Sequence, residues 1–288
     1  MGESIVERIA GRIDVMPAGE RRAAQALIAN YPVLGLKTVA DFSQQAGVSS
    51  PTILRFVARL GFQNYAEFQS TLQDELAAQL QSPLTRASAA PGLAGHSSPM
   101  LDATLDNIRE TAAHVSARQM AEIVALLAGP RVRCYLVGGR FTDPLALYLA
   151  AHMAIVRPSV FHLAGQEGNW QDRLIDMGKR DVLIIFDIRR YQESLIRFAR
   201  KAHRRGVQIV LFTDQWLSPI SRFARHVVAG RTAVPSPWDS SASLFVMVET
   251  LIRELTRELG TEGARRIKEM EALREDASGR PDPAGTIL

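Results

Sequence analysis

The chain has 288 residues, 47% of them hydrophobic, a net charge of +4 and a single cysteine. That length exceeds the usual size of one domain and points to two of unequal length. No apolar run approaches the roughly 18 residues that span a membrane, and the opening MGESIVERIAGR is too polar for a secretory signal. A cytoplasmic location without membrane association is therefore expected. One cysteine excludes both a disulfide framework and a cysteine-rich metal site, and Cys134, inside an apolar strand-like run, reads as a core residue.

The charge is unevenly spread. The first 80 residues carry seven basic side chains (Arg8, Arg12, Arg21, Arg22, Lys37, Arg55, Arg59) against eight acidic ones, so any basic contact there must act locally. The excess lies between Arg131 and Arg225. It includes Arg197, Arg200, Lys201, Arg204 and Arg205 near the end of one expected helix, where cations complement the helix dipole.

In chain order, the first elements are helices carrying Ile5, Ile9 and Ile13, then Ala23, Ala26, Leu27 and Ile28. Two short helices around a tight turn follow, between Thr38 and Phe62. The spacing of Val39, Phe42 and Ala46 predicts a helix from about Thr38 to Ala46. Gly47 then takes the left-handed conformation that turns the chain, and Val48 plugs the corner. Ser49 is expected to cap the second helix by accepting a free N–H of its first turn, with Pro51 suited to that turn. Ile53, Phe56, Val57 and Leu60 form its buried stripe. Ser50, Thr52, Arg55 and Arg59 point away from it, with chemistries that can meet phosphates or base edges. The periodicity alone fits a plain αα-hairpin with a solvated face as well as a DNA reader.

The run VSSPTILRFVARLGFQNYAEF resembles the helix-turn-helix signature of the RpiR-type transcription regulators, through Val48, Ser49, Thr52, Arg55, Phe56, Leu60, Gly61, Phe62, Tyr65 and Phe68. The resemblance extends upstream over the earlier helices. It implies an all-α DNA-binding domain over residues 1–80, contacting a pseudo-palindromic double-stranded operator through Lys37, Ser49, Ser50, Thr52, Arg55 and Arg59. A homodimer or homotetramer that binds two half-sites, usually as a repressor, is implied with it.

Residues 81–99, QSPLTRASAAPGLAGHSSP, lack any apolar period and read as a linker. After a helix expected from Met100 to Leu127, short apolar runs alternate with helices: CYLVGG, VFHLAG, VLIIFD, QIVLFTD and HVVAG. The helices are expected at Pro144 to Val156, Asn169 to Met177, Gln192 to Arg205 and Pro219 to Ala224, with a long last one from near Asp239. That alternation predicts an α/β domain over residues 100–260 built on a doubly wound five-stranded parallel sheet. A helical extension and a disordered polar tail are expected over 261–288.

In an open parallel sheet ligands bind beyond the carboxyl ends of the strands, where strand order reverses. With the order 2-1-3-4-5, Arg140 after the first strand and Arg190 after the third face one crevice. The candidate ligand set is Gly138, Gly139, Arg140, Thr142, Asp187, Arg189, Arg190 and Tyr191, joined by Trp238 and Asp239 at the start of the last helix.

Residues from about Leu136 to Leu255 resemble the SIS, or sugar isomerase, domain, which serves RpiR-type regulators as effector sensor. The family's Gly-x-Gly-x-Ser loop is here Gly138, Gly139, Arg140, Phe141, Thr142. Its Ser-x-Ser-Gly-x-Thr turn is here Asp187, Ile188, Arg189, Arg190, Tyr191, Gln192, with every expected hydroxyl replaced. Two readings follow. Either Asp187 pairs with a neighbouring arginine and closes the pocket, or the arginines and Tyr191 form a remodelled site for an anionic metabolite, a sugar acid or sugar phosphate, with Asp187 binding its hydroxyls. The second is preferred. A sugar-phosphate isomerase with a helical appendage is the enzymatic alternative. Its nearest bases, His162 and Glu167, also fit a rim histidine and a helix-start carboxylate, so catalysis is not expected, nor is a metal or cofactor.

Overall fold

A computed structural model describes residues 4–80, 99–165 and 167–277. The expected linker and polar tail fall almost wholly outside them.

The N-terminal part is helical. α1 (Ile5–Ala10) starts on a reciprocal cap: Ser4 Oγ accepts the Glu7 N–H at 3.2 Å and the Glu7 carboxylate accepts the Ser4 N–H at 2.7 Å. α2 (Ala18–Ala29), α3 (Val39–Ala46), α4 (Ser50–Arg59) and α5 (Tyr65–Leu80) complete it. Ile9, Ala23, Leu27, Phe42, Ile53, Phe56, Leu60 and Phe68 form one buried cluster. The Phe42 and Phe56 rings meet edge to face, 6.2 Å apart.

The turn between α3 and α4 follows its sequence. Thr38 caps α3 by accepting the Asp41 N–H at 3.1 Å, and Gly47 ends it at φ 62°, ψ 39°. Ser49 differs from expectation. It holds the capping position at the start of α4, yet its hydroxyl accepts no backbone N–H and lies 2.9 Å from Thr52 Oγ1. A neighbouring hydroxyl one turn on has taken the place of the backbone donor.

The C-terminal part holds a five-stranded sheet: β1 (Arg133–Gly138), β2 (Val160–His162), β3 (Asp181–Asp187), β4 (Gln208–Asp214) and β5 (His226–Gly230). All pairings are parallel and the order is β2-β1-β3-β4-β5. Period-two alternation divides the strands between two cores. Leu136, Ile184, Phe186, Val210 and Phe212 pack with α7 (Ala117–Ala128), α8 (Asp143–Val156) and α11 (Ala242–Ala277). Tyr135, Val137, Leu183, Ile185, Ile209 and Leu211 face α9 (Glu167–Arg173) and α10 (Glu193–Arg204). Covered on both sides, β3 is buried at every position, which is why it reads as an unbroken apolar run. Cys134, on β1, is fully buried, as expected of a core residue.

Four expected elements shift, among them the helix from Asn169 to Met177, which is α9 followed by a 3-10 turn at Leu174–Asp176. The single helix from Met100 to Leu127 is two, α6 (Pro99–His114) and α7, because Ser116 accepts the Gln119 N–H at 3.1 Å and starts a new helix. The segment from Pro219 to Ala224 is one 3-10 turn, Pro219–Arg222. The last helix begins at Ala242 rather than near Asp239, whose carboxylate is drawn to Arg189. Inside α11, Gly260 at φ 47°, ψ −121° turns the axis.

Candidate functional site

On α4, Ser49, Thr52 and Arg55 form a connected polar row on the solvent side: Arg55 Nη2 donates to Thr52 Oγ1 at 3.2 Å, and Thr52 Oγ1 meets Ser49 Oγ. Ser50 turns back toward α3, donating to Ser43 Oγ at 3.3 Å. Lys37 is exposed just before α3. Arg59 differs from the others. Its guanidinium is paired with the Glu20 carboxylate of α2, which is 4% exposed, so this arginine binds two helices together. Leu54, 48% exposed between the polar residues, was not singled out by the sequence pattern.

The second site is a cavity of about 300 Å³ lined by Gly139, Arg140, Phe141, Thr142, Asp187, Ile188, Arg189, Arg190 and Gln192. It lies beyond the ends of β1 and β3, adjacent parallel strands whose following helices, α8 and α10, cover opposite faces. Gly138 is required there. A Cβ on it would stand 2.4 Å from Asp143 backbone atoms.

The expected ligand groups play unequal parts. Thr142 Oγ1 donates to the Phe186 carbonyl at 2.6 Å and accepts the Gly139 N–H at 2.9 Å, so its hydroxyl is spent on the loop. Arg189 pairs with Asp239, its Nε 2.5 Å from Oδ2, and lies over the Trp216 ring. Tyr191 donates its hydroxyl to Asp214 at 2.7 Å. Arg140 and Arg190 remain exposed at the rim. The Arg140 guanidinium lies 5.1 Å from the Phe141 ring centre, and Phe141, 57% exposed, packs on Trp238. Arg190 holds φ at 62°, a conformation disfavoured for a side chain that long.

Among the described residues Asp187 pairs with no arginine, contrary to the pocket-closing reading. Its Oδ2 accepts the Ser218 hydroxyl at 2.5 Å and its Oδ1 the Gln192 N–H at 3.3 Å. Burial pushes this carboxyl up to about 7, against the lowering effect of those two bonds. Asp214 is pushed up to about 6, again by burial, while Tyr191 and the N–H groups of Arg189 and Trp216 oppose the rise. His162 is bonded to Asp143 at 2.9 Å and does not line the cavity.

One buried constellation escaped sequence reasoning. Arg231, just after β5, reaches Glu7 of α1 at 2.8 Å and Glu110 of α6 at 2.7 Å. Nearby, Ser4 Oγ donates to the Gln215 carbonyl at 3.4 Å. Partners 224 and 211 residues apart leave no local signature.

Residues 3–79 match the model of the helix-turn-helix domain of the rpiR family, and residues 126–253 that of the SIS domain. Bifunctional protein glk of Paraburkholderia xenovorans is 24% identical over 214 residues, 73% of this chain but only 33% of that protein. The chain thus spans about a third of the length of such curated relatives. The transcriptional regulator HexR of Pseudomonas aeruginosa is 31% identical over 75 residues, 26% of each chain. Among solved structures, the sugar isomerase domain of an RpiR transcription factor from Sphaerobacter thermophilus superposes with a TM-score of 0.56 at 18% identity, covering 60% of this chain and 96% of that one. The Vibrio vulnificus NanR protein complexed with ManNAc-6P gives 0.53 at 15% identity, covering 96% of this chain and 100% of that one. The chain thus joins a helix-turn-helix domain to a SIS domain that carries the five-stranded parallel sheet. In its helix-turn-helix domain the chain belongs to the rpiR family.

Proposed function

We propose that the chain represses transcription as a cytoplasmic homodimer or homotetramer, that the α4 face reads a pseudo-palindromic operator, and that the cavity beyond β1 and β3 binds a small anionic metabolite. The observation that carries the effector half is the pair of exposed guanidiniums, Arg140 and Arg190, at the rim of one cavity. Guanidinium forks suit carboxylate and phosphate groups. The complex of the NanR relative with ManNAc-6P supports a ligand-binding role for the same fold.

The effector would act through two loops. Asp239 clamps Arg189 at the cavity, and Arg231, at the start of the same loop, holds Glu7. Asp214 receives Tyr191, and its neighbour Gln215 receives Ser4. Ligand binding then shifts the population in which both DNA-reading regions are free to engage their half-sites.

Fluorescence anisotropy on a duplex selected from a random library tests the DNA half. Affinity should fall steeply between 50 and 200 mM salt, by roughly three orders of magnitude if about six phosphates are contacted. Salt-independent association would sink it. A thermal-shift panel of sugar acids and sugar phosphates tests the effector half, with a smaller shift expected in Arg190→Ala. Equal shifts in both proteins would reject the rim arginines.

An isomerase is the second reading, favoured only by the Asp187 carboxyl, which lines the cavity and titrates at about 7. Turnover of an aldose phosphate followed by NMR would decide for it.

A further inference from the structure

We infer that Asp187 is a built-in anion at the helix end of the cavity, so that the effector is a polyhydroxylated monocarboxylate without a phosphate group, its carboxylate on Arg140 and Arg190 and its hydroxyls on Asp187. This rests on the effector reading of that cavity and narrows it.

The first turn of a helix attracts anions through its free N–H groups. At α10 that place is occupied from within: Asp187 Oδ1 accepts the Gln192 N–H at 3.3 Å. Glu193, in the same turn, is exposed and paired with Arg197 at 3.6 Å, so the burden falls on Asp187. A phosphate dianion brought there would face the Asp187 carboxylate, with Asp214 close behind, and the nearest buried cation, Arg189, is already committed to Asp239. Repulsion of that kind is strong where water is excluded.

The same carboxylate is well suited to neutral hydroxyls. An ionised carboxylate offers about four acceptor positions, and the Ser218 hydroxyl and the Gln192 N–H use one on each oxygen. The remaining positions can take O–H donors. Thr142, the one hydroxyl in the loop after β1, is 2% exposed and bonded inward. At the opposite end Arg140 and Arg190 are exposed, and among the described residues neither is in an ion pair. The cavity thus has a cationic rim and an acceptor floor within about 300 Å³. The Phe141–Trp238 pair beside the rim supplies an apolar surface for the C–H face of a small chain or ring.

Isothermal titration of the full chain with D-gluconate and 6-phospho-D-gluconate at pH 8 reads the discrimination, with inorganic sulfate as a probe of the helix end. The unphosphorylated acid should bind wild type at least roughly tenfold more tightly, and sulfate should bind Asp187→Asn and Asp187→Ser at least roughly tenfold more tightly than wild type. If the phosphate ester binds wild type better, this inference falls while the effector reading stands. Equal sulfate affinity in wild type and variants removes Asp187 from the role given to it. Failure of both acids on wild type overturns the effector reading as well. Should the variants not fold, the comparison of the two acids on wild type decides alone.

Discussion

Arg55 and Arg59 lie four residues apart on one helix and have different duties. Arg55 rests on the Thr52 hydroxyl, free to be drawn onto DNA; Arg59 is held by Glu20. Arg55→Ala should weaken operator binding by about 1 to 3 kcal/mol and relax preference at one position, with little change in melting temperature. Arg59→Ala should lower the melting temperature, because it strips a partner from a buried carboxylate. Anisotropy and thermal denaturation on both variants separate the duties, and an unchanged affinity in Arg55→Ala removes that residue from the interface. Asp187 has a pH signature of its own. Its folded pKa, about 7, lies above the ordinary 3.8, so the folded chain holds this proton where the unfolded chain releases it. The stability it favours is fully present below about pH 4 and is lost as pH rises to about 7. Asp187→Asn cannot titrate, and its melting temperature should fall less than that of wild type between pH 5 and 8. Parallel curves would show that Asp187 is already ionised at the lower pH.

At the scale of elements, the helix starts that matter are set by single hydroxyls. Ser116 separates α6 from α7, and Ser116→Ala should cost about 1 kcal/mol in denaturant unfolding; no loss would mean that packing alone sets the break. The sheet was the most legible part of the chain. Buried parallel strands must be continuous apolar runs, and VLIIFD and QIVLFTD correspond to β3 and β4 almost residue for residue. Gly47 was legible for a similar reason, since few residues tolerate its left-handed turn. Illegible features depend on partners remote in sequence. Arg189 finds Asp239 fifty residues on, and Arg59 finds Glu20 thirty-nine residues back. Helical spacing put Arg59, and the strand end Arg189, in binding surfaces, and the fold spends much of each on structure. Arg140 and Arg190 were placed correctly beside one crevice because strand order alone brings their loops together.

At the scale of the whole molecule, the helical region and the sheet meet through Ser4, Glu7, Gln215 and Arg231. Glu7→Gln keeps the shape of the side chain and removes its charge. The proposed coupling predicts that this variant binds effector and operator separately about as well as wild type, while the change in operator affinity on adding effector shrinks, typically from a 5- to 150-fold range toward one. Undiminished coupling, measured by anisotropy with and without saturating effector, would assign transmission to another route.

The sharing of Arg231 between two carboxylates has a further consequence. One of them, Glu7, belongs to the DNA-reading region; the other, Glu110, sits on α6 next to the sheet. Breaking a buried ion pair by removing one member costs roughly 3 to 5 kcal/mol, because the other is stranded. Here nothing is stranded. Were α1 to leave, Arg231 would keep Glu110 as its counter-charge, and Glu7 its bond to the Ser4 N–H. The two halves are joined by a contact whose cation keeps a counter-charge when it is broken, which lowers the cost of separating them.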